Sequence, residues 1–270
     1  MTLNDIIRSL KRKGLTQSEI RAVVGFRYGI GAEEIPLRLS DVLDGTAALA
    51  DADMIAGGEP VEYIIGTVRF FGADIKVTRD VLIPRVETEL LCDEVSGAAK
   101  DIKAERIADV CTGSGCIAVS LAKKLRIKID AFDISRAALT VAGENAEKNG
   151  VAELVDLYDT DVLAKNDFFK TEYDIIVSNP PYISAADMEK LPDSVRREPA
   201  TALYGGEDGL DFYRALTGMC KKHIRRGGAL FFEIGDGEGD GVRRIAASCG
   251  LSAEVKNDLA GRERIVRIDI

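Results

Sequence analysis

At 270 residues the chain is long enough for one large α/β unit or two smaller domains, and 46% hydrophobic with 30% charged residues at near-zero mean hydropathy marks it as globular, not disordered or membrane-spanning. A single histidine, His223, excludes a histidine-rich metal site, and five cysteines (Cys92, Cys111, Cys116, Cys220, Cys249) without a CxxC pair support neither a disulfide framework nor a zinc ribbon, so no metal is expected. The net charge of -9 argues against a duplex-DNA binder, because phosphate affinity rests on clustered Lys and Arg.

Residues 1–66 are expected to form short helices. Ile6, Ile7 and Leu10 recur at helical spacing, and Thr16 followed by Glu19 is a capping box opening a helix through Ile20, Val23 and Val24. Ala47–Ile55 suggests another, stopped by Gly57 and Gly58. Residues 1–30 carry a net +4 and 31–60 a net -6, so the basic residues Arg8, Lys11, Arg12, Lys13, Arg21 and Arg27 make either a solvated helix face or a docking surface for an acidic macromolecule. Residues 67–84 alternate apolar and polar around Gly72, as a hairpin does, and read as a connector. The amino end lacks the apolar core and cleavage site of a secretory signal, and no run approaches a membrane span; a cytoplasmic protein with no membrane association is expected.

From residue 85 the pattern becomes α/β. Strands are predicted at 106–111, 127–132, 155–158, 173–178 and 229–234, and helices at 116–125, 135–149, 208–225 and 239–247. This alternation implies a mostly parallel sheet covered on both faces, with the final pair around 252–268 antiparallel because no helix separates its strands. His223 falls at a helix end, where its charge would favour the dipole. Asp236–Gly241 opens like a calcium loop, but Ala247 occupies the twelfth position, where a bidentate glutamate is required, so a strand-to-helix turn is expected.

Two stretches carry the chemistry. Asp109-Val-Cys111-Thr112-Gly113-Ser114-Gly115-Cys-Ile-Ala118 joins a strand to a helix through glycines that let a ligand approach the backbone, and Asp133 ends the next strand, where a carboxylate can accept both ribose hydroxyls. This pattern also satisfies the dinucleotide fingerprint. Asp109 could hold a cationic amino group, which S-adenosylmethionine has and a pyrophosphate lacks. Asn179-Pro180-Pro181-Tyr182 then follows the fourth strand at the ligand-binding edge. An Asn oxygen and a proline carbonyl can take both hydrogens of a planar NH2 group while Tyr182 walls its plane, which favours S-adenosylmethionine as cofactor and amine or amide methylation as reaction.

The Asn179–Tyr182 loop is similar to that of methyltransferases acting on amide or exocyclic amino nitrogens. The whole chain resembles the HemK/PrmC family of peptide chain release factor glutamine methyltransferases, through Val81–Glu89, Asp109–Ala118, Asn179–Ile183, Glu198–Gly206 with Asp208–Leu210, Glu233–Gly235 and Asp258–Arg262. The resemblance implies a class I, Rossmann-like methyltransferase fold over 85–270, a seven-stranded, mostly parallel sheet with an antiparallel last strand, and a helical substrate-recognition domain over 1–66. It implies cofactor contacts from Cys111 to Gly115, ribose binding by Asp133, and adenine contacts from Asp161 and Val162. The substrate glutamine would sit in Asn179–Tyr182, with Arg85, Glu87 and Thr88 lining the entry; Glu89 and Glu198 are read as positioning groups too. A class I release factor is the implied partner, bearing that glutamine in a Gly-Gly-Gln motif, and no stable nucleic-acid complex is expected; methylation of adenine or guanine in nucleic acid is the alternative. Val86, Glu62, Cys111 and Glu238 depart from the family's usual proline, glutamine or alanine, glycine and glutamine.

Overall fold

The computed structural model describes residues 1–164, 167–169 and 171–270. The chain divides into two compact units, one of residues 1–67 with 192–197 and one of 68–191 with 198–270. Among the described residues, no helix is long and apolar enough to cross a membrane.

In the smaller unit, α1 (Leu3–Arg12), α2 (Gln17–Tyr28), α3 (Thr46–Ala56) and α4 (Val61–Ile65) close around Leu3, Ile6, Leu10, Ile20, Val23, Val24, Ala48 and Ala52. The Thr16–Glu19 capping box forms at the start of α2, and Thr2 and Asp5 make a second one on α1. Two residues counted in the basic face are already paired. Arg27 holds the buried Asp51 through Nε at 2.6 Å and Nη2 at 2.5 Å, and Lys13 pairs with Asp53. Arg8, Lys11, Arg12 and Arg21 remain exposed.

In the larger unit, β1 (Thr67–Phe70) and β2 (Ala73–Lys76) form a two-stranded sheet around a turn with Phe71 and Gly72 at positive φ. The expected connector is integrated into this unit. Asn145 of α7 (Arg136–Lys148) accepts from Lys76 N at 2.6 Å and donates to Lys76 O at 3.0 Å, and Glu89 accepts from Phe71 N at 2.9 Å. Glu89 belongs to α5 (Val86–Asp101), a helix that the sequence pattern did not announce.

The main sheet takes β3 (Arg106–Val110), β4 (Lys128–Asp133), β5 (Val155–Asp159), β6 (Tyr173–Ser178), β7 (Ile224–Glu233), β8 (Ala253–Asn257) and β9 (Glu263–Asp269) in the order β5-β4-β3-β6-β7-β9-β8. The first five strands in space are parallel; β9 runs antiparallel to both its neighbours. Helices α6 (Cys116–Leu125), α9 (Asp211–His223) and α10 (Gly239–Ser248) complete the α/β layers with α5 and α7, and a one-turn α8 spans Ala185–Met188. Helix α9 is shorter than expected because 208–210 turn back on themselves through Asp208, and Asp236–Gly241 lead into α10 as the expected strand-to-helix turn. His223 ends α9 beside Asp167, at 2.7 Å. Strand order reverses between β3 and β6, which opens a crevice at their carboxyl ends.

Val86 lies at the first position of α5, is exposed, and follows Arg85 in an extended conformation (φ -96°, ψ 148°). That backbone suits a proline, whose missing N–H costs nothing at this position. Val86→Pro is expected to raise stability by about 0.5–1 kcal/mol through the unfolded chain, read as a rise of a few degrees in thermal midpoint.

Candidate active site

The turn after β3 is built on a buried carboxylate. Asp109 has no solvent exposure, and its Oδ2 accepts from the Thr112 hydroxyl at 2.6 Å and from the Ala118 N–H at 3.1 Å, inside the first turn of α6. A negative group there is favoured by the helix dipole. Asp109 is not among the residues lining the cavity, and its Oδ1 has no partner among the described residues; through Oδ2 it ties strand, turn and helix together. Burial raises its carboxyl to about 7.

Between these ties the backbone takes left-handed conformations at Cys111 (φ 61°), Gly113 (φ 54°) and Gly115 (φ 75°). Gly115 has a packing reason as well, since a Cβ there would lie 2.9 Å from the Ala142 methyl. At Gly113 a Cβ would meet nothing within 4 Å, so the turn faces open space at that point. Burial pushes the Cys111 thiol well up and that of Cys116 to about 12, so neither is a thiolate at neutral pH. Asp133, at the end of β4, accepts from Gly113 N at 2.8 Å and from Ser135 N at 2.9 Å. Each of its oxygens keeps a second lone pair for a ligand hydroxyl.

These ends surround a cavity of about 740 Å³. Of the residues singled out in the sequence, Cys111, Gly113, Asp133, Asp161, Val162, Asn179 and Pro181 line it. Thr112, Ser114 and Gly115 lie within the turn; Pro180, Tyr182, Arg85, Glu87 and Thr88 are not on its wall. Missed by the sequence reading were Ile134, Ser135 and Ala138 at the start of α7, Thr160 and Leu163, Asp80–Leu82, and a side built by Ala185, Met188, Ala200–Ala202, Tyr204, Gly206, Asp211 and Phe212. Two of these sides lie in Val81–Glu89 and Glu198–Gly206, stretches that carried the resemblance without a site role for these residues, and apolar residues near a helix cap, such as Ile134 and Ala138, carried the other signal.

After β6, Ser178 anchors the strand end to Val110 O at 2.6 Å, and Pro180 and Pro181 are buried. Asn179 Nδ2 donates to Thr88 Oγ1 at 3.1 Å, which leaves Oδ1 as the amide's acceptor. The Pro180 carbonyl takes no backbone hydrogen bond among the described residues. The loop is clamped from outside by Ile183 N on Leu203 O and Gly205 N on Ile183 O, both at 2.9 Å. Desolvation lifts the Tyr182 phenol to about 12, so it stays neutral. Glu198 accepts from Ile83 N at 3.0 Å and pairs with Arg85, bracing the segment before α5.

A glycine turn over a cavity at the strand-order reversal, on a seven-stranded sheet with an antiparallel β9, defines a class I S-adenosylmethionine-dependent methyltransferase. The family profile of the methyltransferase small domain matches residues 86–196. A methyltransferase from Pyrococcus furiosus shares the fold, with a TM-score of 0.54 at 18% identity over 74% of this chain and 91% of that one. A release factor glutamine methyltransferase of Moorella thermoacetica is 40% identical over 97% of this chain and 95% of its own, and that of Cereibacter sphaeroides is 39% identical over 92% and 89%. The chain belongs to the release factor glutamine methyltransferase family.

Asp109 offers a test of the turn's electrostatics. Its carboxyl binds a proton more tightly folded (about 7) than at its ordinary value of 3.8, so the stability lost to burying its charge grows from near pH 4 and is complete above pH 7. Asp109→Asn, which keeps an acceptor for Thr112 and Ala118, is expected to raise the thermal midpoint at pH 8 and to raise it by clearly less at pH 5. A lower midpoint at pH 8 would mean that the charged bonds outweigh desolvation.

Proposed function

We propose that this protein transfers a methyl group from S-adenosylmethionine to the side-chain amide nitrogen of the glutamine in the Gly-Gly-Gln motif of class I peptide chain release factors. The observation that carries the reading is the pair of acceptors left on one loop, Asn179 Oδ1 and the Pro180 carbonyl, beside a cavity of about 740 Å³. The names of the relatives support the substrate. Translation factors as substrates make the cytoplasm the place of action.

The cofactor side rests on chain chemistry that fits an adenosyl group with an amino-acid tail. The volume lies within the range of ligand pockets, about 300–1,000 Å³. Asp133 keeps lone pairs for ribose hydroxyls, Gly113 leaves open space before the backbone, and Asp161 and Val162 would flank the adenine. When bound, S-adenosylmethionine supplies a methyl on a sulfonium: the N–C bond forms as the C–S bond breaks, and the nitrogen then loses a proton to solvent.

An amide nitrogen is a weak nucleophile because its lone pair is shared with the carbonyl. Two acceptors on its hydrogens move electron density toward nitrogen and stabilise the positive charge that develops there. The buried prolines fix those acceptors in advance, and a neutral Tyr182 walls the plane of the amide. Orientation supplies the rest, by holding nitrogen and methyl at near-attack distance. No imidazole base is required, in keeping with a single histidine engaged beside Asp167.

Asn179→Ala is expected to lower turnover on a release factor by about 100-fold or more while cofactor affinity, measured by calorimetry, changes little. Labelled methyl appearing on nucleic acid and not on the factor's glutamine, by peptide mapping, would overturn the assignment. The helical unit would dock the folded factor through its exposed basic residues. Reversing Lys11 and Arg12 to Glu is expected to raise KM for the whole factor and not for a short Gly-Gly-Gln peptide; equal effects on both would refute docking there.

A further inference from the structure

The outer edge of β2 is paired by side chains. Asp74 and Lys76, two residues apart on the strand, each turn an N–H and a C=O toward α7, where two asparagines about one helical turn apart meet them. Asn149 accepts from Asp74 N at 3.3 Å and donates to Asp74 O at 3.0 Å; Asn145 accepts from Lys76 N at 2.6 Å and donates to Lys76 O at 3.0 Å. The spacings agree, since four residues of helix rise about 6 Å and two of strand about 6.6 Å. A carboxamide carries the donor and acceptor of a peptide group, so the pair stands in for a neighbouring strand.

Asn145 makes one bond more. It has no solvent exposure, and its Nδ2 also donates to Ser114 O at 2.9 Å, inside the glycine turn. Ser114 O and Gly115 N belong to one peptide plane, and Gly115 N donates to Thr112 O at 2.9 Å, so that plane is held at both ends. Ala142, three residues before Asn145 on the same face of α7, fills the space against Gly115. Helix α7 thus forms the back of a turn whose front, at Gly113, borders the cavity. Lys76 in turn lies four residues before Asp80, where the chain joins the wall of the same cavity.

We infer that Asn145 is a positioning residue for the S-adenosylmethionine site, holding the glycine turn and the hairpin that leads to Asp80–Leu82 in one register through the two hydrogens of its Nδ2. The count of donors makes the role specific. With Oδ1 on Lys76 N and both hydrogens spent on Ser114 O and Lys76 O, no other side chain of its size supplies all three contacts. An aspartate keeps the acceptor and loses the donors, and an alanine leaves the two carbonyls and the Lys76 N–H without that partner. Asn149 is the natural contrast. It clasps the same strand, donates to Asn145 O at 3.0 Å and accepts from Lys123 Nζ at 3.1 Å, yet none of these bonds reaches the turn. The inference rests on the cofactor of the family and not on the identity of the methylated substrate.

The test separates cofactor binding from folding. Affinity for S-adenosylhomocysteine, the demethylated cofactor, is measured by calorimetry on the full-length protein without substrate. Asn145→Ala and Asn145→Asp are expected to weaken it about tenfold or more, and Asn149→Ala to change it less than about twofold, although all three lower the thermal midpoint. Parental affinity in both Asn145 variants, or an equal loss in Asn149→Ala, would overturn the inference. Coupling is reciprocal, so the parent protein gives a second reading that holds even where an Asn145 variant does not fold. Lys76 is not on the cavity wall, but its N–H is bonded to Asn145. Saturating S-adenosylhomocysteine is expected to slow hydrogen exchange at that N–H by about fivefold or more, and at the Asp74 N–H, bonded to Asn149, far less. Exchange at Lys76 that ignores the cofactor, or an equal slowing at Asp74, would overturn the inference too. No release factor enters either measurement, so a protein that showed both effects and did not methylate a release factor would uphold the positioning and sink the substrate reading instead.

Discussion

A carboxylate without solvent access, Asp109, joins the last residues of β3 to the turn beyond them and to the first turn of α6. Without that tie, Cys111 would have little reason to hold a left-handed conformation that an L side chain avoids, and the two glycines would have no fixed course. With it, the Gly113 N–H is aimed at Asp133 and the turn borders the cavity at the reversal of strand order. The desolvation of one charge is thus offset by the placement of a whole ligand-facing loop, a common distribution of local cost at functional sites.

The second loop obeys the same economy of groups. Every polar atom around Asn179 has a definite partner or a definite vacancy: Ser178 on Val110, Nδ2 on Thr88, and acceptors left at Oδ1 and Pro180. Methyl transfer to an amide needs little acid–base chemistry and much geometry. The scarcity of histidine in this chain and the upward-shifted thiols of Cys111 and Cys116 agree with a site that works by holding.

Much of the fold was legible because it is written in local signals. The Thr16–Glu19 box, the Ser135 cap and the apolar runs of β3 and β6 need only their neighbours in sequence, and the absence of a helix between β8 and β9 announced their pairing. Helix α5 was not read, since Val86–Asp101 mixes acids, a Ser-Gly pair and scattered apolar residues, and its buried face becomes evident only against the sheet. The chemistry-bearing turn and loop stood out as motifs, but their bonding did not. Asp109 ends its strand as ligand-binding acids often do, and nothing local reveals that its Oδ2 bonds to Thr112 and Ala118. Glu198 binds Ile83 at a separation of 115 residues, and Arg85 follows it; such pairs exist only after folding. Most of the cavity wall from Ala185 to Phe212 is apolar or backbone; Glu198–Gly206 carried the resemblance, but nothing in its residues marked a wall rather than packing.

The segment at Gly205 and Gly209 shows another side of this division. A Cβ on Gly205 would come within 2.6 Å of the Pro181 carbonyl and of the Tyr182 Cα, and one on Gly209 within 2.3 Å of the Tyr182 carbonyl. The Asn179–Tyr182 loop is therefore specified twice along the chain, once by its own side chains and again, some two dozen residues later, by positions that must have none. Variation at the second place would register as altered specificity or turnover although no reacting atom is touched, so a map of tolerated substitutions would draw the active site larger than the list of groups facing its cavity.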